Sequence, residues 1–175
     1  MTRYIIMLLM IASGVNSNAQ SQKYFTRDGI ITFSSKAPVE HIESSNKEVN
    51  IIIDPAANSI AFKVVMKSFA FEKQGMKDHF NADYLHTDKF PNATFEGKIT
   101  SKVDWSFNAT YHATVEGTLT IHGVGKPVKQ NGQITVEDGK IKVSAAFNIL
   151  LTDFKIAVPS NYISKISNTI RLQIN

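Results

Sequence analysis

Along most of the chain, hydrophobic and polar residues alternate with a period of two. In FEGKITSKVDW, Phe95, Ile99, Val103 and Trp105 share one parity, and Glu96, Lys98, Lys102 and Asp104 share the other. In TYHATVEGTLTIHG, Tyr111, Ala113, Val115, Leu119 and Ile121 alternate with threonines and charged residues. GKIKVSAAFNILL sets Ile141, Val143, Ala145, Phe147, Ile149 and Leu151 on one face, and KISNTIRLQIN does the same for Ile166, Ile170, Leu172 and Ile174. Side chains of a strand point alternately to its two faces, so each pattern predicts a strand with one buried and one wet side.

More strands precede these. GIITFSSKA and VEHIESSNK flank Pro38, and EVNIIID and NSIAFKVVM flank a turn at Asp54-Pro55. Asp138-Gly139 separates two alternating runs, which signals a hairpin because a tight primed turn needs positive φ. The count is about eight or nine strands at short intervals, an antiparallel barrel or sandwich in one domain. The exception is residues 75–86. Gly75 can open a helix, and Met76, His79, Phe80 and Asp83 follow helical spacing. A helix of roughly 6 to 11 residues is not stable alone and must dock on the sheet. Phe90-Pro91 then forces an extended or turning exit.

The N-terminus changes the picture of where the domain begins. Arg3, an apolar run from Tyr4 to Ala12 and the small residues Ser17-Asn18-Ala19 have the order of a secretory leader cleaved after Ala19. The expected organisation is a signal peptide over 1–19 and a single domain over 20–175, periplasmic or secreted. The apolar run is about half of the roughly 20 residues a membrane span requires. The chain has no cysteine, so neither a disulfide nor a thiolate is available to it. Its net charge is +4, and removal of Arg3 leaves 18 basic against 15 acidic side chains. The lysines are scattered, which argues against nucleic acid as a partner, since phosphate backbones need clustered cations.

Candidate chemistry is sparse. His79 and His86 stand near Asp78, Asp83 and Asp88, but without an HExxH or HxH core, so a metal site is not expected. There is no GxSxG elbow, and adjacency of Asp78 and His79 on a helix points the two side chains apart. IHGVGKPV lacks the first glycine of a phosphate loop. It is expected to be a turn in which Gly123 and Gly125 supply permissive φ, with Lys126 free to face an anionic head group. The densest signal is apolar, a run of phenylalanines and methionines from Phe62 to Phe95. Such side chains either fill a small barrel or adapt to a flexible apolar guest, and the residues alone leave both open.

Two motifs resemble a known family. MKDHFNADYLHTDKFPNATFEG, with Asp78, His79-Phe80, Tyr84-Leu85 and the run Phe90-Pro91-Asn92-Ala93-Thr94-Phe95, is similar to the hallmark segment of the YceI-like, polyisoprenoid-binding domain. The second is Gly117-Thr118-Leu119-Thr120-Ile121-His122-Gly123-Val124-Gly125-Lys126-Pro127-Val128. The resemblance covers roughly residues 24 to 175. It implies an all-β, extended antiparallel lipocalin-like barrel of about eight strands with one short helical insertion. It also implies an exported, non-enzymatic protein without a cofactor, holding an isoprenoid or quinone-type lipid inside the barrel. Met76 and Asn81 stand where many members carry arginines, so no arginine contact to a head group carries over. Neither a stable membrane span nor a particular oligomeric state is implied, a dimer remaining open.

On this reading Phe62, Val64, Met66, Phe69 and Phe71 line the lumen, together with Phe80, Leu119, Ile121, Phe147 and Ile149. His79 is the polar candidate at the mouth, its alternative role being a structural cap. The competing expectation is a stress or interaction scaffold whose barrel is filled by its own side chains.

Overall fold

A computed structural model describes residues 22–175, so the expected leader lies outside the described residues. Eight strands neighbour one another in chain order: β1 (Tyr24–Lys36), β2 (His41–Asp54), β3 (Ser59–Val65), β4 (Asn92–Ile99), β5 (Ala109–Ile121), β6 (Val124–Glu137), β7 (Lys140–Leu150) and β8 (Thr169–Ile174). Every pair is antiparallel, and β8 returns to β1 with Leu172 opposite Phe33, which closes a barrel. Alternation allowed a barrel or a sandwich; closure removes the free edges a sandwich would keep.

In such an up-and-down barrel successive connections fall at alternate ends. One end carries residues 37–40, the long excursion 66–91, the two-residue turn 122–123 and the excursion 151–168. The other carries 55–58, 100–108, the turn 138–139 and the C-terminus. Both two-residue turns have positive φ at both positions: 52° and 73° at His122 and Gly123, 49° and 74° at Asp138 and Gly139. These are the primed turns whose twist matches that of the flanking strands.

Several expected elements fall differently. VEHIESSNK and EVNIIID are one strand, β2. The break read between Lys47 and Glu48 is a bulge, where the register against β1 shifts between Ile31↔Asn46 and Gly29↔Val49. Asn46 is fully buried and holds the bulge, its Oδ1 accepting from Glu48 N at 2.7 Å and its Nδ2 donating to Val65 O at 2.7 Å. The alternation from Phe95 to Trp105 outlasts its strand, because β4 ends at Ile99 and Asp104 turns the chain by accepting from Ser106 N and Oγ. Val103 and Trp105 still pack on the core, but from a loop. Gly125 does not have positive φ; His122 takes that conformation instead, and Gly125 lies in β6 against Thr118 Cγ2.

The helical segment is α1 (Gln74–His79) followed by a π-helical turn over Phe80–Tyr84, closed by Leu85 N donating to Phe80 O. That wider turn brings Phe80, Tyr84 and Leu85 to the barrel side, where uniform α-spacing placed Asp83. Phe80 anchors the segment. Its ring lies 5.6 Å from Phe33, 5.6 Å from Phe69 and 5.0 Å from Phe71. Lys67 and Asp88 bridge the two ends of the excursion, and Lys67 beside Asp88 holds that carboxyl below its ordinary range.

The two halves of the interior are packed differently. Toward the end that carries the chain terminus, Ile53, Ile60, Ile99, Ile134 and Val136 are almost wholly buried. Toward the helical end the inward side chains only partly fill the space.

Candidate functional site in the barrel lumen

The upper lumen is a cavity of about 330 Å³, within the range of ligand pockets. It stops at Ile60 and Ile134; Ile53, Ile99 and Val136 pack beyond that floor and do not line it. A row of small residues keeps the middle open. Ala113 on β5 faces Gly132 on β6, which faces Ala145 on β7.

All eleven candidate residues line this cavity. Phe62 and Val64 point in from β3. Met66, Phe69 and Phe71 follow in the chain that leaves it, and His79 and Phe80 come from the helical segment. Leu119 and Ile121 enter from β5, and Phe147 and Ile149 from β7. The lumen also meets Ile31 and Phe33 of β1, Val128 of β6 and Leu172 of β8, which the same alternation could have supplied. It further meets Glu40, Tyr84, Tyr162 and Lys165. Tyr162 and Lys165 sit in the irregular excursion 151–168, where no periodicity marks an inward position. Lys126 is not among the lining residues.

Polar groups gather at the helical end. His79 Nδ1 lies 2.6 Å from Asp83 Oδ2, both side chains being more than half exposed. Glu40 reaches the lumen beside β2, and Lys165 Nζ lies 6.0 Å from the Tyr162 ring centroid. Burial pushes the Tyr84 phenol above its ordinary value, and Tyr162 and Asp83 add to the shift. His86 is used locally, its Nδ1 bonding Ala82 O at 2.7 Å while its ring packs 5.3 Å from that of His122. Among the described residues no three metal-ligating side chains converge. The arrangement is an apolar chamber with a sparse polar rim, suited to holding a hydrocarbon by its length.

Residues 18–175 match the YceI-like domain family. The chain belongs to that family. This YceI-like barrel is similar in fold to a polyisoprenoid-binding domain from Saccharophagus degradans implicated in plant cell wall breakdown. That match has a TM-score of 0.74 at 14% identity and covers 87% of this chain and 94% of that one. BcnA of Burkholderia cenocepacia superposes with a TM-score of 0.69 at 17% identity, over 83% and 93% of the two chains. The YceI protein of Campylobacter jejuni gives 0.54 at 24% identity, over 98% and 87%. At these identities the likeness is one of fold. No curated protein matches the chain. The segment 76–97 that resembles the family hallmark runs from the excursion 66–91 into β4, and its His79 and Phe80 belong to the cover of the lumen.

Proposed function

We propose that this protein is an exported, non-catalytic lipid carrier that sequesters an isoprenoid or other long alkyl chain in its barrel, acting in the periplasm or outside the cell. The observation that carries the reading is the cavity of about 330 Å³, walled by Phe62, Val64, Leu119, Ile121, Phe147 and Ile149 and left open above a packed floor. Family membership supports it, as does the polyisoprenoid-binding domain among the similar folds. Each buried CH₂ of the guest contributes about 0.8 kcal/mol, against the cost of ordering the chain. The head group sits at the rim among His79, Tyr84, Tyr162, Lys165 and Glu40. One lysine and one carboxylate with two phenols suit a hydroxyl or quinone carbonyl. Export rests on the leader-like residues 1–19.

Native mass spectrometry before and after organic extraction tests binding. A bound mass that is lost on extraction and regained with a polyprenyl alcohol or quinone is expected. The apo mass alone under every condition refutes the reading. A secreted or periplasmic product beginning at Gln20 is the expected sign of export, and a cytoplasmic product that retains Met1 counts against it.

A further inference from the structure

The wall of the barrel is not hydrogen-bonded all the way round. β6 and β7 pair from their turn, Glu137↔Lys140, only as far as Gly132↔Ala145. Both strands then run on. Residues 124–131 of β6 stay bonded to β5 up to Ile121↔Val124, and residues 146–150 of β7 stay bonded to β8 up to Leu150↔Thr169. Beyond the Gly132↔Ala145 pair, residues 124–130 of β6 have no partner residue on β7.

The cavity lies against this seam. Its lining includes Gln130 and Phe147, which point inward on either side, and also Asn131 and Gln133, which are exposed on the outer face of β6. The unpaired stretch of wall thus lies directly against the cavity. The seam is bounded below by the Gly132↔Ala145 pair. Above, it is bounded by a strap, the 3₁₀ turn Leu151–Phe154, which buries Phe154 and is tied to the β5–β6 turn by His122 Nδ1 donating to Phe154 O at 3.2 Å.

One feature keeps the seam from zipping shut. Pro127 stands in the unpaired stretch of β6 and has no N–H for a neighbouring strand. A proline at an edge also discourages pairing with an added strand, which makes a docked β-segment the poorer account of the seam. The mouth at the helical end is obstructed instead. Phe33, Phe69, Phe71 and Phe80 pack ring to ring there, at centroid distances of 5.0 to 5.8 Å.

We propose that the seam between β6 and β7 is a lateral portal of the lumen, through which the hydrocarbon chain of a lipid passes in and out of the barrel. This rests on the lipid-binding reading above. The head group remains at the polar rim while the tail slides between Val128 and Ile149, whose side chains are inward and apolar.

The test uses the absence of native cysteine. Lys129 and Asn148 face outward on the two sides of the seam and would oppose each other if the register continued. The double variant Lys129→Cys, Asn148→Cys is bridged by a short reducible bis-thiol reagent or capped singly with a monofunctional one. Uptake of cis-parinaric acid from phosphatidylcholine vesicles is followed by fluorescence. Bridging is expected to slow uptake and release by about tenfold relative to the capped form, with little change in affinity, and reduction should restore both rates. Equal rates in the bridged and capped forms overturn the portal while leaving lipid binding intact. No uptake by the unbridged protein, nor by the unsubstituted chain, overturns lipid binding and the portal with it.

Discussion

The substitution Ala145→Leu separates a hollow barrel from a filled one by the sign of its effect. Ala145 projects from β7 into the lumen, in the row of small residues with Gly132 and Ala113. Leucine adds three carbons to a space that the apo protein leaves empty. At about 0.8 kcal/mol per buried carbon the added burial is worth about 2.4 kcal/mol. Fixing the leucine rotamer costs about 0.5–1 kcal/mol, which leaves a gain near 1.5 kcal/mol in the lipid-free protein. For a domain of this size such a gain raises Tm by about 3–6 °C. The same three carbons displace an equal stretch of guest, so affinity for an alkyl ligand falls roughly 50-fold. In a fully packed interior the added volume would instead be overpacking, destabilising by about 1–3 kcal/mol. Calorimetry of the delipidated protein and a fluorescent-lipid titration read the two effects. A lowered Tm with unchanged lipid affinity would refute the account of the lumen as empty apolar space.

Other outcomes follow from the same division of the interior. Ile134 is fully buried in the floor, so Ile134→Ala should cost about 2–5 kcal/mol in urea unfolding. Phe147→Ala, at the half-buried wall of the cavity, should cost less than this and weaken lipid binding instead; a reversed order of the two would count against the floor. Gly139 and Gly123 share positive φ, but a side chain at 139 meets open space while one at 123 collides with the Phe90 ring. Gly139→Ala should therefore cost about 1–2 kcal/mol from backbone strain alone, and Gly123→Ala clearly more, both measured by chemical denaturation. Burial raises the Tyr84 phenol above its ordinary 10.0, so its contribution to stability is complete below the unfolded value. It is then lost as pH rises through the folded value. Urea midpoints should fall as pH rises above about 10, and Tyr84→Phe should flatten that fall.

The sequence by itself determined the class of fold and most of the inward face. Period-two alternation depends only on the geometry of a strand, so it named Leu119, Ile121, Phe147 and Ile149 as one-sided without knowledge of their neighbours. The primed turn at Asp138-Gly139 was legible for the same reason, since local φ is written in local residue type. The two motifs added the closed barrel and its guest class by resemblance. The tertiary structure decided what pattern cannot carry. Lys47-Glu48 resembles a break between strands, yet the hydrogen bond of the neighbouring Asn46 to Val65, nineteen residues away, makes it a bulge inside one strand. Val103 and Trp105 keep the alternation but hang from a loop. Tyr162 and Lys165 reach the lumen from an irregular excursion that has no period to follow. Whether phenylalanines and methionines fill a barrel or wall a chamber depends on summed volumes across eight strands. The small row Ala113, Gly132 and Ala145 tips that sum toward a chamber, and its members become neighbours only when strands β5, β6 and β7 are laid side by side.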